Sequence, residues 1–190
     1  LVNRASKLGY QLTNSDLYHA NFADEEALDM LEAVKDRHFV APGIAWLINT
    51  ARHAEQWGIK PGSPVTLLYE RELEMCIDTM KKMHRRGIRV CIGGDYGFAW
   101  TPQGTNAKDI QTFVEMLGFS PMEAIQAATK YGGQIMNMGD ELGLIKEGYL
   151  ADLLLVDAGD RDLRGLGADD VDPLGDRILN VMRIAERQLQ

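Results

Sequence analysis

The chain has 190 residues, 45% of them hydrophobic and 25% charged, an ordinary globular composition with enough apolar material for one domain with a substantial core. Its formal net charge of −8 argues against nucleic acid or an anionic membrane surface as the main partner. No apolar run approaches the ~20 residues that span a bilayer, and Leu1-Val2-Asn3-Arg4 carries neither a signal-peptide pattern nor an initiator Met, as expected of a fragment or a processed product.

Strand-like and helical stretches alternate along the chain, which predicts a parallel sheet with crossover helices. The first strand is expected at Asp16 to His19. A helix follows, with Asp24 as its N-cap and Ala27, Leu28, Leu31 and Val34 on one face. Phe39 to Leu47 reads as a strand interrupted by Pro42-Gly43, and Asn49 to Gly62 as a long loop. Ser63-Pro64 opens a long helix with Leu73, Cys76, Ile77, Met80 and Met83 at helical spacing, and Gly87 ends it. Arg89 to Asp95 is a short apolar strand that ends in a carboxylate.

Two more helices are expected beyond it. Asn106 can cap the first, which carries Ile110, Phe113, Val114 and Leu117 and stops at Gly118. Ser120-Pro121-Met122-Glu123 opens the second as a capping box with proline at the first helical position. Gly132-Gly133 reads as a helix stop. Leu142 to Lys146 and Ala151 to Val156 read as two strands joined by Glu147-Gly148, and Ile178 to Leu189 as a final helix. Cys76 and Cys91 lack metal-type spacing and fall on a helix and a buried strand, as expected of reduced core residues in a cytoplasmic protein.

Side chains at the C-terminal ends of parallel strands line the active-site face of α/β folds. His19 and Asp95 hold that position. A neutral imidazole nitrogen and an anionic carboxylate oxygen suit zinc or a similar divalent ion, and an aspartate can also take a proton. Taken alone, the same residues also read as an ordinary strand-end histidine and a turn aspartate. His53 lies in the long loop, where it can reach a substrate, and Trp46, Tyr69, Tyr96 and Trp100 can line a pocket. His38 and His84 are better placed for structural roles, His84 at a helix C-terminus where positive charge is favoured. The chain has no serine in a nucleophile elbow, and Gly93-Gly94-Asp95-Tyr96-Gly97 is not a Walker A loop.

Several of these pieces occur in an order that resembles the amidohydrolase superfamily. They are the strand ending Gly93-Gly94-Asp95-Tyr96-Gly97, the loop Gln103-Gly104-Thr105-Asn106-Ala107, the helix entry from Gly118 through Thr129, and Leu142 through Asp157. Upstream, Tyr18-His19-Ala20-Asn21-Phe22-Ala23-Asp24-Glu25-Glu26 resembles the sixth barrel strand and the start of its helix. The resemblance is nearest to the prolidase and imidazolonepropionase-like branch. It implies the C-terminal part of a (β/α)8 TIM-type barrel over residues 1–134, followed over 135–190 by strands of a small β-sandwich domain and a tail.

By the same resemblance, His19 matches the sixth-strand metal or substrate histidine, and Asp95 the eighth-strand aspartate that binds metal and handles the proton of the attacking water. One or two zinc or similar divalent ions and a small-molecule substrate are implied. Gln103-Gly104 stands where many relatives have His-Gly, a substrate contact, and Gln103 joins Tyr96, Trp100 and His53 as a candidate there. The family's His-x-His pair, fourth-strand ligand and fifth-strand histidine are absent. The expected partner is therefore a missing N-terminal polypeptide or another copy of the chain. The expected activity is metal-dependent hydrolysis of an amide or related C–N bond; the alternatives are a non-catalytic fragment that works only with its missing part, and a phosphate-ester hydrolase.

Overall fold

The structure is a computed structural model that describes residues 15–153. One parallel sheet holds β1 (Ser15–Tyr18), β2 (His38–Ala41) and β3 (Arg89–Val90), adjacent and in chain order. Ser15 to Tyr18 lie opposite His38 to Ala41, and Phe39 and Val40 lie opposite Arg89 and Val90. The central strand β2 is buried along its whole length, as a strand paired on both edges and covered on both faces must be.

Alternation along the strands separates two apolar faces. Val40 and Val90 point into the larger core with Leu28, Ile44, Leu73, Met80, Phe113 and Ala124, whereas Phe39, Ala41 and Cys91 face Tyr131 and Ile135. Helix α1 (Glu25–Glu32) joins β1 to β2; α2 (Ile44–Arg52), a 3-10 turn (Ala54–Trp57) and α3 (Pro64–Arg85) join β2 to β3. After β3 come α4 (Lys108–Leu117), α5 (Pro121–Ala128) and α6 (Lys130–Ile135).

The start signals work as their chemistry requires. Asp24 accepts from the Ala27 N–H at 2.9 Å. Ser63 caps α3 ahead of Pro64. In the capping box, the Ser120 N–H donates to Glu123 Oε2 at 2.8 Å and the Glu123 N–H donates to Ser120 Oγ at 3.3 Å. Cys76 and Cys91 are both buried. Burial, and then the Glu72 carboxylate, push the Cys76 thiol up to about 12. His84 stacks on Phe119 at 3.8 Å and lies 3.3 Å from Glu123, so it ties α3 to the start of α5.

Several elements differ from expectation. The strand expected from Arg89 to Asp95 pairs only over Arg89–Val90, and the residues from Cys91 to Asp95 lie beyond it. The apolar run Phe39 to Leu47 is not one strand: β2 ends at Ala41, Pro42-Gly43 turns the chain, and Ile44 begins α2 with Ile44, Leu47, Thr50 and Ala51 buried. The segment Asn49 to Gly62 accordingly holds the end of α2 and the 3-10 turn. Asn106 does not cap α4; Ala107 occupies that position, and the Asn106 side chain accepts from the Gly104 N–H instead. Gly132 and Gly133 lie inside α6 rather than stopping a helix: at 133 a Cβ would lie 2.5 Å from Leu142 O, so the close approach requires glycine, whereas at 132, with open space around it, glycine costs about 1 kcal/mol relative to alanine. Leu142 to Lys146 forms bends and irregular chain rather than a strand, closed by the Leu150 N–H donating to Glu141 O at 2.9 Å. Ala151 to Leu153 is irregular rather than strand; the other half of that expected strand, residues 154–156, and all of Ile178 to Leu189 lie outside the described residues.

Phe113 is fully buried and packs against Phe119 with ring centroids 5.0 Å apart. Phe113→Ala is expected to lower the unfolding free energy by about 3–5 kcal/mol, read from urea denaturation.

Candidate active site

His19 and Asp95 meet at the C-terminal end of the sheet. Their closest atoms, Nε2 and Oδ2, are 3.5 Å apart. His19 follows β1, and its backbone N–H still donates to Ala41 O at 2.8 Å. The strand geometry stops there: His19 and the following Ala20 have φ of 69° and 49°. Non-glycine residues seldom adopt this left-handed region, and each such residue costs on the order of 1–3 kcal/mol. The excursion turns the imidazole off the strand and lays it over Gly43, where Nδ1 lies 3.3 Å from Pro42 O.

Asp95 arrives from the other side. The β3 ladder ends when the Cys91 N–H donates to Val40 O, and the chain runs on outside the ladder to Gly94 beside the Pro42-Gly43 turn. This approach leaves no room for side chains. A Cβ on Gly94 would lie 2.9 Å from the Gly43 Cα, and one on Gly43 would meet the His19 ring at 3.0 Å and Asp95 Oδ2 at 3.7 Å. Gly43 is also left-handed, with φ of 62°. The Gly43 N–H donates to Gly93 O at 3.3 Å and locks the two segments.

The loop beyond Asp95 folds back on itself. The Thr101 hydroxyl donates to Asp95 O, and the Gly97 N–H donates to Thr101 O at 2.8 Å. The Asn49 amide of α2 donates to Trp100 O. Trp100 joins an aromatic group in which Trp46 lies 4.8 Å away, Trp57 5.5 Å from Trp100, and Phe98 5.1 Å from Trp46. Beneath this loop, the Tyr96 hydroxyl is buried next to Asp109 in the first turn of α4, close enough for each to shift the other's proton affinity without a well-formed hydrogen bond. Burial pushes the Asp109 carboxyl up to about 6, partly opposed by the Tyr96 hydroxyl. Burial and the neighbouring Asp109 raise the Tyr96 phenol in turn.

Of the residues expected to matter, His19 and Asp95 come together. Tyr96 and Trp100 flank Asp95 in the same loop, with the phenol oxygen and the indole nitrogen turned into the protein. Gln103 is exposed, and a side chain at Gly97 would meet its amide at 3.3 Å, so it closes the same loop. His53 is exposed at the far end of α2, about 14 Å of helix rise beyond Gly43. Asp109, Gly43 and Gly94 had no sign in the sequence beyond a turn-forming Pro-Gly and a Gly-Gly before an aspartate. A cleft of about 650 Å³ opens on the β1 side, lined by Leu17, His19, Ala20, Phe22, Met30 and Glu72 among others.

The donor set fits a divalent ion. Two ligands on a tetrahedral zinc, with arms of about 2.0–2.2 Å, sit about 3.4 Å apart; the 3.5 Å between Nε2 and Oδ2 matches that edge. Among the described residues no group of three or more His, Cys, Asp or Glu side chains converges, so the pair supplies half of a four-ligand shell.

The model of the amidohydrolase family matches residues 17–182. The chain belongs to this family. No curated protein matches the amidohydrolase chain significantly. Among solved structures, a putative prolidase from Bifidobacterium longum is 24% identical with a TM-score of 0.63, over 73% of this chain and 35% of that one. A Xaa-Pro dipeptidase with methionine bound in its active site is 29% identical with a TM-score of 0.59, over 78% and 34%. The A. niger ochratoxinase is 21% identical with a TM-score of 0.57, over 72% and 29%. The chain thus spans about a third of the length of these structures, and its fold is of their barrel-type α/β class. No helix among the described residues is long and apolar enough to cross a membrane.

The Gly94→Ala substitution sets a Cβ against backbone that cannot move without parting the strand ends. It is expected to cost roughly 1–3 kcal/mol in urea denaturation. Asp109 gives a pH signature. Its carboxyl binds a proton more tightly folded, at about 6, than at the ordinary 3.8, so its contribution to stability falls as pH rises through that window and is fully lost above it. Between about pH 3.5 and 7 the wild type should therefore lose on the order of 3 kcal/mol relative to Asp109→Asn, measured by denaturation at each pH.

Proposed function

We propose that the chain carries part of the active site of a metal-dependent amidohydrolase that cleaves an amide or related C–N bond, with Xaa-Pro dipeptides as the first substrates to test. The observation that carries this reading is the convergence of His19 Nε2 and Asp95 Oδ2 to 3.5 Å at the C-terminal end of parallel strands. The family supports hydrolysis, and the Xaa-Pro dipeptidase among the similar structures supports the substrate class.

A divalent ion such as zinc, held between the two residues, would polarise the scissile carbonyl and acidify a water. His19 holds its place with Nδ1 on Pro42 O, leaving Nε2 for the ion. Asp95 has both roles that the chemistry needs. One oxygen faces His19, and the carboxylate, partly open to solvent, can take the proton of the attacking water and hand it to the departing nitrogen. Gln103, Tyr96, Trp100 and His53 are proposed to shape the substrate side of this face.

The chain corresponds best to residues late in the barrel, up to about 134, with the rest leading into the small β-sandwich domain and a cytoplasmic setting. The remaining ligands would come from polypeptide that packs at the β1 side, supplied by a preceding segment or by another copy. The cleft there, with Phe22 62% exposed at its edge, supports that placement.

In the assembled enzyme, Asp95→Asn should lower kcat by about 10²–10⁴-fold with zinc content unchanged, since an amide can still offer an oxygen but cannot take the proton. His19→Ala should instead lower zinc content, measured by metal analysis. Wild-type turnover by a fully zinc-loaded Asp95→Asn enzyme would overturn the assignment.

A further inference from the structure

Asp95 opens a loop that is tied at several points. The Tyr96 N–H donates to Gly94 O at 3.0 Å, the Gly97 N–H to Thr101 O at 2.8 Å and the Thr101 N–H to Phe98 O at 3.1 Å, while the Thr101 hydroxyl donates back to Asp95 O. Phe98 stands on this fixed loop with 51% of its surface exposed. A single exposed apolar side chain means little, but Phe98 does not stand alone. Its ring lies edge-on to Trp46 with centroids 5.1 Å apart, and Trp46 is in turn 4.8 Å from Trp100. Trp46 and Trp100 are each partly exposed, and the indole nitrogen of Trp100 is buried, so what the group presents outward is ring carbon.

This aromatic surface begins at the His19–Asp95 pair from two directions. Phe98 comes three residues after Asp95 in the tied loop. Trp46 sits in the first turn of α2, its N–H donating to Gly43 O at 3.1 Å, and a Cβ on Gly43 would lie 3.7 Å from Asp95 Oδ2. The rings are therefore about one helical turn, ~5 Å, from the backbone against which the carboxylate rests. The proposed chemistry then says which half of a substrate meets them. Asp95 hands its proton to the departing nitrogen, so that nitrogen must come within hydrogen-bond reach of its carboxylate. Whatever the nitrogen carries is the part of the substrate nearest the loop that Asp95 opens.

We propose that Phe98, backed edge-on by Trp46, is a specificity-determining residue that receives an aromatic or large apolar side chain on the amine half of the substrate. The inference rests on the reading of Asp95 as the group that protonates the leaving nitrogen. A ring already held in place gives up little freedom when it is covered, and edge-on or offset contacts with a second ring add to what burial alone contributes. Phe98 has no polar atom, so it selects by size and shape.

The test uses the assembled, zinc-loaded enzyme and three dipeptides: Gly-Phe, with the ring on the amine half, Phe-Gly, with the ring on the acyl half, and Gly-Gly. The kcat/KM for Gly-Phe should exceed that for either of the others by about 10–100-fold, the range that an apolar pocket can give. Phe98→Ala should bring the ratio of Gly-Phe to Gly-Gly to within about threefold of unity with zinc content unchanged, and Phe98→Tyr, which keeps the ring, should hold the wild-type ratio within about threefold. An active wild type that does not prefer Gly-Phe, or whose preference survives Phe98→Ala, overturns this inference and leaves the hydrolase reading standing. So does a Phe98→Ala variant that loses all three dipeptides in proportion, the result expected if the ring only packs against other polypeptide. A wild type that neither binds zinc nor cleaves any dipeptide or amide overturns both.

Discussion

The ends of β2 and β3 can lie side by side only because the backbone at Gly43 and Gly94 carries no side chains. That close approach sets where the Pro42-Gly43 turn goes, and the turn in turn supplies the surface on which the His19 ring rests and the carbonyl that holds Nδ1. It also sets where Asp95 emerges. The strand order brings the two candidate ligands to one end of the sheet, but the glycine pair brings them within reach of each other.

The sheet itself is built to tolerate this. β2 is buried on both faces and paired on both edges, so the core of the domain stays fixed while the chain departs from regular geometry at His19, Gly43 and beyond Cys91. The irregular backbone is concentrated at the C-terminal end of the sheet, and the opposite end is tied by ordinary means, such as Arg89 donating to Lys35 O and lying 3.7 Å over the Phe39 ring. This division between a rigid sheet and a locally strained rim is common where an α/β fold carries a site.

Much of this is legible in the sequence, and the part that is not has a physical reason. The helix entries at Asp24, Ser63 and Ser120 are chemical signals confined to a few adjacent residues, and each caps the helix that it announces. His19 and Asp95 are readable because they end apolar runs. Helix α2 reads as strand because Ile44-Ala45-Trp46-Leu47-Ile48 is a short apolar run rich in β-branched and aromatic residues, whose period cannot be told from so few positions. The buried set Ile44, Leu47 and Ala51 shows the helical spacing only once the strand is known to end at Ala41. Asp109 looks like any acidic residue in a first helical turn, and its burial is set by tertiary packing that no local pattern announces; the meeting of Gly43 with Gly94 likewise joins residues distant in the chain.

The left-handed pair His19–Ala20 has a consequence for how such a chain can change over generations. Histidine at least belongs to the residue types enriched in that conformation, but alanine at 20 has no such excuse, and glycine or asparagine would sit there with less strain. Alanine packs its methyl against the larger core, where glycine would leave a gap and asparagine would bury an amide. The position is therefore caught between two demands, and relief of one works against the other. Drift at residue 20 should be slow even though the residue touches no proton and offers no ligand, and a change there would be felt first as a shift in where the imidazole hangs.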